Sequence, residues 1–344
     1  TMSLAKCDND TLYLRLQPFV QHTKLYIDWG DGKKQLEVLS DTTYRNRTVG
    51  ISKGEVIRIY GDANSLKEIF ANNCNLMNID VSLCRELEVL ECSDNNLKSL
   101  DISKNVKLKD VDCRYNEIGK LDLSNNPELQ SLYCGSNELK ELDVSRCMNL
   151  IDLNFWGDQL SVIDVSSNKL LKYLYCDNND IQQLDVSTNV KLRSLSSNGN
   201  KKLMKVDVSK NPDLDFLACC CMGLKELDVS DNPVLRVLFC QHNKLTKLDL
   251  STNKKLELLS ANNNQFKELD VNHNPILESL MCGDNPIEKL DLSENKQLGT
   301  ISCYYTPMKE LDISNNNSLK HIYVDLSKLY VWKGFDKKNY KLSG

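Results

Sequence analysis

Histidine is scarce in this sequence, with four residues in a chain of 344. Histidine supplies most acid–base groups that titrate near neutral pH and is the commonest ligand of transition metals. Its scarcity disfavours an enzyme, and no cofactor or metal is expected. The four positions are His22, His242, His273 and His321.

Long apolar runs and blocks of like charge are also missing. No apolar stretch approaches the roughly 20 residues of a membrane-spanning helix, so no transmembrane segment is expected in this chain. The 43 Lys and Arg are interspersed with 48 Asp and Glu, for a net charge of −5. Nucleic-acid binding is disfavoured because phosphate neutralisation needs clustered basic residues. The opening residues Thr1–Ser3 contain no apolar signal-peptide core, which does not by itself indicate a cytoplasmic location.

What the sequence does contain is a repeat. An apolar residue followed by Asp, any residue and Ser or Asn recurs twelve times, and ten of the eleven intervals are 21 residues long. A fixed period in the twenties indicates a solenoid, in which each repeat, or coil, buries its apolar face against its neighbours. The recurring aspartates, here called the Asp column, are Asp80, Asp101, Asp122, Asp143, Asp164, Asp185, Asp207, Asp228, Asp249, Asp270, Asp291 and Asp312.

Each coil reads as strand and turn rather than helix. In the coil from Leu108 to Asn126, both halves alternate apolar and polar residues, and neither carries a helical stripe over ten residues. We therefore expect strand on one side, extended or turn structure on the other, and little helix. The residues expected to point inward are Leu108, Val111, Cys113, Ile118, Leu121 and Leu123.

The fourteen cysteines resemble a disulfide framework until they are placed on the repeat. Eight share one column that other coils fill with Ala, Phe, Ser or Val, so we expect buried, reduced thiols acting as small hydrophobic residues. In-register stacking separates successive Cβ atoms by about 4.8 Å, whereas a disulfide needs about 3.8 Å. This cysteine column contains Cys92, Cys113, Cys134, Cys176, Cys219, Cys240, Cys282 and Cys303.

Two columns of asparagine fall where the chain must turn, and an inward amide there can bond the free backbone groups of the turn. The first Asn column contains Asn95, Asn116, Asn137, Asn179, Asn243, Asn264 and Asn285. The second contains Asn105, Asn126, Asn168, Asn189, Asn211, Asn232, Asn253, Asn274, Asn295 and Asn316. The first column is interrupted at Asp158, Met222, Thr306 and Ser327, where we expect local irregularity.

These columns together resemble the 21-residue bacterial leucine-rich repeat, L-x-x-L-x-C-x-x-N-x-L-x-x-L-D-L-x-x-N. The match runs from about Leu66 to Val324. The resemblance implies a right-handed leucine-rich-repeat solenoid of about twelve coils, placed in the α/β class but built mostly of strand and coil. It also implies a bacterial protein that is secreted or on the cell surface, often a scaffold for protein binding or adhesion.

The two ends of the chain depart from the repeat. Residues 1–64 contain four expected strands, and the turn Trp29-Gly30-Asp31-Gly32 resembles one in PKD-like β-sandwich domains. The other interpretation is a small all-β N-terminal cap over the first coil, since solenoids need capped ends. The expected division is a cap at 1–64, the solenoid at 65–325 and a C-terminal cap at 326–344, closed by Leu329, Val331, Trp332 and Phe335.

Three features are candidates for function. The Asp column suggests a metal ladder, but capping bonds to a backbone N–H or to the Ser two residues later are the expected role. Cys220, Cys221 and His242 could form a zinc site or a thiol–imidazole pair, without a clear third ligand. Aromatic residues on the outward strand face form the third feature, because Tyr and Trp dominate binding hot spots. They are Tyr133, Trp156, Tyr173, Tyr175, Phe216, Phe239, Tyr304, Tyr305 and Tyr323, with Tyr115 beside them.

The outward aromatic residues favour a non-catalytic scaffold that binds a protein through the strand face. The alternative is a glycan-binding module with an aromatic cleft; an enzyme or a structural spacer fits the sequence less well. Large rings flank the small residues of the coil at Ser194–Gly199, which predicts a shallow cleft. Trp156 and Tyr175 are expected to provide most of the binding energy, or else Tyr304, Tyr305 and Tyr323.

Overall fold

A computed structural model describes residues 2–6, 11–20, 22–39, 47–51, 53–325, 331–334 and 341–343. The chain forms two compact units, Thr1–Leu171 and Lys172–Gly344. The only helix in these described ranges is a short 3₁₀ turn at Ala63–Ser65, as the lack of helical periodicity predicts.

The first unit begins with eight strands of five to eight residues, most of them antiparallel, which match and extend the four expected ones. They are β1 (Met2–Lys6), β2 (Thr11–Pro18), β3 (Thr23–Asp28), β4 (Lys34–Leu39), β5 (Arg47–Ile51), β6 (Val56–Tyr60), β7 (Leu66–Phe70) and β8 (Leu76–Asp80). One sheet has the order β4-β3-β6-β1-β8. β2 pairs antiparallel with both β5 and β7, and β7 opens the repeated strands.

The turn after β3 is held by its own aspartate. Asp28 Oδ1 accepts hydrogen bonds of 2.9 Å from the N–H groups of Gly30 and Gly32. The Trp29 ring is buried, and a side chain at Gly50 would collide with it, since a Cβ there would lie 2.2 Å from the indole. The turn is therefore a tight, well-packed element. The division at residue 64 and the PKD-like interpretation stay predictions.

Short parallel strands recur once per coil in the rest of the first unit. They are β9 (Val89–Glu91), β10 (Asp110–Asp112), β11 (Ser131–Tyr133) and β12 (Asp152–Asn154). Each pairs with its neighbour in register, so Val111 faces Leu90 on one side and Leu132 on the other. The middle residue of each strand is fully buried. The side chains on either side of it point outward and are half-buried, as the alternation of a strand requires.

The second unit repeats this arrangement. Its strands are β13 (Tyr173–Tyr175), β14 (Ser194–Ser196), β15 (Phe216–Ala218), β16 (Val237–Phe239), β17 (Leu258–Ser260), β18 (Ser279–Met281), β19 (Thr300–Ser302), β20 (Glu310–Asp312), β21 (His321–Tyr323), β22 (Val331–Lys333) and β23 (Lys341–Ser343). From β13 to β19 they are parallel neighbours, followed by β21 and β23, while β20 pairs with β22.

The core of both units is built from the predicted columns. All eight members of the cysteine column are at most 3% exposed. Burial raises the pKa of each of these thiols; for Cys303 the raised value is about 12. The prediction that these cysteines are buried is confirmed, and their neutral thiols pack as small apolar groups.

The two Asn columns differ in how they bond. In the first, the Asn116 amide group donates to the carbonyls of Cys92, Cys113 and Arg114, and its Oδ1 accepts from the Leu97 N–H at 2.9 Å. In the second, the amide nitrogen likewise donates to carbonyls of earlier coils, but Oδ1 of most members is buried without a partner. The first column therefore needs a donor and an acceptor, and the second needs only a donor.

Cysteine at position 147 illustrates the difference. Cys147 stands in the second column, and its thiol lies 3.6 Å from the Asn126 carbonyl and 3.9 Å from the Leu123 carbonyl. A weak donor is sufficient where no acceptor is required.

The Asp column is structural. In all twelve coils the Asp Oδ1 accepts the backbone N–H two residues later, at 2.9–3.2 Å. Hydrogen bonds from the Ser side chain and its backbone N–H lower the pKa of most of the carboxyls, to about 2 at Asp207, where the Lys205 ammonium contributes most. Each carboxylate thus caps a turn, as the sequence predicts.

The extra residue in the 22-residue interval lies in a corner. Strands β14 and β15 still pair in register, with Leu195 opposite Leu217. Lys201 and Lys202 are exposed in a turn between the buried Asn200 and Leu203. The irregularity therefore affects the turn and leaves the strand pairing intact.

Part of the expected C-terminal cap lies beyond the described ranges. Ser327, Leu329 and Phe335 lie outside the described residues, and of Val331 and Trp332 only the backbone, in β22, is described. In the described ranges no helix has the length and apolar character of a membrane span.

Candidate binding face

Outward aromatic residues form three groups on the strand side of the coils. The Trp156 patch, in the first unit, consists of Tyr115, Tyr133 and Trp156. The Phe216 patch, in the second unit, consists of Tyr173, Tyr175, Phe216 and Phe239, and the Tyr305 patch, in the same unit, of Tyr304, Tyr305 and Tyr323. The predicted residues are thus divided between the units, with Tyr133 and Trp156 in the first and the other seven in the second.

In the Trp156 patch, two rings from alternate coils meet. The Tyr115 and Trp156 rings have centroids 5.5 Å apart and planes at 77°, an edge-to-face arrangement. Tyr115 is 47% exposed, while Trp156 is half-buried. A contact of this kind holds both rings in place and leaves one of them open to solvent.

A glycine makes this contact possible. Gly135 is the equivalent of Trp156 in the preceding coil, and a Cβ there would lie 2.5 Å from the Trp156 carbonyl oxygen and 3.0 Å from its ring. The Tyr305 patch repeats the arrangement, because a Cβ on Gly283 would lie 2.9 Å from the Tyr304 carbonyl oxygen. In both patches a glycine precedes an outward aromatic residue by one coil.

Polar bonds hold the third ring of the Trp156 patch. The Tyr133 hydroxyl donates to Asp152 Oδ2 at 2.7 Å, and the Arg114 guanidinium lies 5.1 Å from the Tyr133 ring centroid. Arg114 is in turn fixed by a bidentate pair with Asp112, with bonds of 3.0 and 2.7 Å. Burial, together with the bond to Asp152, raises the pKa of Tyr133, so the phenol remains a hydrogen-bond donor. Burial also raises the pKa of Asp152.

The Tyr305 patch is the more exposed of the two. The Tyr304 ring lies 6.3 Å from that of Tyr305 and 6.1 Å from that of Tyr323, with tilted planes. Tyr305 is 68% exposed.

The backbone at Tyr115 and Tyr305 is unusual for tyrosine. Both have positive φ, 54° and 53°, at a corner that other coils fill with Asn, Asp, Ser, Gly, Cys or His. Asn, Asp and Gly tolerate this left-handed conformation, whereas a bulky side chain is disfavoured there. Tyr115 and Tyr305 are therefore exposed tyrosines in a backbone conformation that a bulky side chain disfavours.

The Phe216 patch surrounds a floor of small residues. Phe216 and Phe239 meet edge to face at 5.7 Å, and the outward Ser194 and Ser196 are each 6% exposed. The Ser196 hydroxyl donates to Asp177 Oδ1 at 2.6 Å. Burial raises the pKa of Asp177. Small polar residues thus lie beside large rings in this unit, and the shallow cleft stays a prediction.

Cys221 and His242 occupy the left-handed corner of adjacent coils, with φ of 59° and 56°. Both are exposed and line a surface cavity of about 500 Å³ with Lys201, Met204 and Lys244 among others. Cys220 is buried, which raises the pKa of its thiol to about 12. In the part of the chain that is described, no three His, Cys, Asp or Glu side chains are arranged to hold a metal ion.

The sequence patterns identify the aromatic columns but miss what organises them. Two features of the sequence could have revealed this grouping. One is a glycine one coil before Trp156 and before Tyr304, in the same column, and the other is a tyrosine at a left-handed corner. Tyr115, named only beside the main candidates, is a central member of its patch.

Comparisons with known proteins identify the fold. No family model and no curated protein matches the chain. The functional domain of InlJ from Listeria monocytogenes, which includes a cysteine ladder, is 29% identical, with a TM-score of 0.68 over 86% of this chain and 67% of that one. An internalin, InlF, from the same species is 19% identical, with a TM-score of 0.68 over 81% of this chain and 91% of its own.

YopM from Yersinia enterocolitica is similar at a TM-score of 0.59 and 21% identity, over 80% of this chain and 65% of that one. These structures are bacterial leucine-rich-repeat proteins. The parallel strands, the buried Leu and Cys columns and this likeness lead to one conclusion: the chain has the leucine-rich-repeat solenoid fold.

Proposed function

We propose that the chain is a non-catalytic scaffold that binds a protein partner through the Trp156 and Tyr305 patches. The observation that supports this most is the pair of exposed tyrosines, Tyr115 and Tyr305, held in left-handed backbone against a neighbouring ring. Packing alone does not require an exposed aromatic residue at a strained corner. Rigid aromatic anchors lose little entropy on binding and are enriched in binding hot spots.

A protein partner fits this surface better than a single small ligand. Each patch draws its rings from at least two coils, and a macromolecule can contact several coils at once. Their rings are also tilted or edge to face, so each patch presents ring edges and hydroxyls rather than one flat platform. We further propose a secreted or cell-surface location, on the likeness to InlJ and InlF, and a cap role for residues 1–64.

A glycan is the second candidate, and the Phe216 patch favours it. Its aromatic rings stand beside the Ser196 hydroxyl, the Asp177 carboxyl and the Asn198 amide, which donates to Ser196 Oγ at 3.1 Å. Aromatic faces with nearby hydroxyl and carboxyl groups suit a sugar ring. A glycan would depend on this one depression.

The test is capture of partners by the immobilised chain, beside a glycan array. Tyr115→Ala and Tyr305→Ala should each weaken binding of the captured protein by at least about tenfold, since hot-spot truncation costs roughly 2 kcal/mol or more. Met148→Ala is the control, because Met148 is 61% exposed but lies outside the patches. Unchanged affinity in both tyrosine variants would reject the protein-binding surface. Array binding lost in Phe216→Ala would establish the glycan alternative.

A further inference from the structure

Asp158 replaces asparagine in the first Asn column, at the corner directly after Trp156 and Gly157. It is only 7% exposed. Its Oδ1 accepts hydrogen bonds from the backbone N–H groups of Asn137 and Leu139, at 3.1 and 3.2 Å. Oδ1 of Asn243 accepts from the preceding coil in the same way. Asp158 Oδ1 therefore fills the acceptor role of the column.

The other carboxyl oxygen of Asp158, Oδ2, takes the position that the donating amide nitrogen has in asparagine. The amide nitrogen of Asn137 donates to the carbonyls 24 and 3 residues earlier, at 3.0 and 2.8 Å. The carbonyls 24 and 3 residues before Asp158 are those of Cys134 and Phe155. Asp158 Oδ2 is buried without a hydrogen-bond partner. An ionised carboxylate there sets negative charge against carbonyl oxygens, whereas a protonated one can donate as asparagine does.

Thr306, another polar substitute in this column, keeps a donor. Its hydroxyl donates to the Cys303 carbonyl, three residues earlier, at 3.0 Å. Thr306 thus keeps a donor at this point, and Asp158 supplies one only in its protonated form.

The electrostatic surroundings favour the neutral acid. Burial raises the pKa of Asp158 to about 7, against the opposing effect of the Leu139 and Asn137 N–H bonds. Within the first unit, the titratable groups that face it from the preceding coils are the thiols of Cys113 and Cys134, whose own pKa values are raised by burial. No charged side chain among the described residues contributes to the shift of Asp158.

We propose that Asp158 is a proton-operated latch for the corner that carries Trp156: the protonated carboxyl adds a donated bond from Oδ2 to the preceding coil, and loss of the proton removes that bond. The regulatory meaning rests on the proposed function, in which Trp156 contacts a partner. The folded pKa lies above that of an unfolded aspartate, about 4. The stabilisation is therefore complete below about pH 4 and is lost as the pH rises through about 7.

The latch is tested in the free protein, so its failure is distinguishable from failure of the proposed function. The ¹³C resonance of the Asp158 carboxyl should titrate with a midpoint near pH 7, a shift of about three units from an unfolded aspartate. The indole N–H resonance of Trp156 should move with the same midpoint. In Asp158→Asn, whose amide donates at every pH, the Trp156 resonance should show no such transition.

Asp143→Asn is the matched control, because Asp143 is an exposed member of the Asp column and its Oδ1 accepts a backbone N–H within a turn. It should leave the Trp156 transition unchanged. A carboxyl midpoint near pH 4, or a Trp156 transition that persists in Asp158→Asn, would overturn the proposal.

Discussion

The two Asn columns should respond differently to the same substitution. Asn116 and Asn126 lie in one coil, one in each column, and both donate to buried carbonyls of earlier coils. Only Asn116 also accepts a bond, from the Leu97 N–H. Asn116→Cys and Asn126→Cys therefore remove similar donors, but only the first removes an acceptor.

The magnitude follows from the unpaired group. Cysteine restores part of the donation in either column, as Cys147 does in the neighbouring coil. In Asn116→Cys the Leu97 N–H stays buried without a partner, and such a group costs about 1–3 kcal/mol. Changes in side-chain volume and entropy are the same in both variants. Asn116→Cys should therefore be less stable than Asn126→Cys by about 1–3 kcal/mol.

The measurement is urea unfolding under reducing conditions, followed by circular dichroism and by tryptophan fluorescence. Coincident curves from the two probes justify a single free energy of unfolding, because long repeat arrays can lose cooperativity. Equal losses in the two variants, or a larger loss in Asn126→Cys, would show that the acceptor bond to Leu97 does not distinguish the columns.

Two further predictions concern packing. Gly135→Ala should lower the free energy of unfolding by about 1–3 kcal/mol and disturb the Trp156 patch. Gly119→Ala should be neutral, because a Cβ there meets nothing within 4 Å. Equal urea midpoints for the two variants would contradict this. In a Cys7→Ser background, thiol titration of the native protein should show one fast-reacting thiol, that of Cys221, and Cys221→Ser should remove it. Denaturation should make the buried thiols reactive. Several fast-reacting thiols in the native protein would contradict the burial.

The periodic part of the fold follows from the sequence because each column repeats a single requirement. Leu at the strand centre, Cys beside it and Asn at the corners recur at 21 residues, and the structure buries them as the alternation indicates. The strands β1 and β5 were not predicted, and neither was the pairing of β1 and β2 with the first coils, because long-range antiparallel register leaves no periodic signal.

The candidate site was predictable only in part. The outward columns identify Tyr133, Trp156 and Tyr304, since side-chain direction alternates along a strand, whereas Tyr305 lies at the corner beyond it. Their grouping depends on which neighbouring coil carries a glycine, and on ring orientations that the pattern does not encode. Asp158 was expected to be only an irregularity; the significance of its carboxyl appears when its two oxygens are assigned to different partners.

The pairing of β1 and β2 with the first coils also has a consequence for synthesis. β2 and β1 give β7 and β8 antiparallel partners before most of the repeats have been translated. Each later coil of the first unit bonds mainly to residues 19–24 positions earlier. Folding can therefore advance from this nucleus one coil at a time as the chain leaves the ribosome. Because no long loop has to close, the rate of adding a coil should not depend on how many repeats follow.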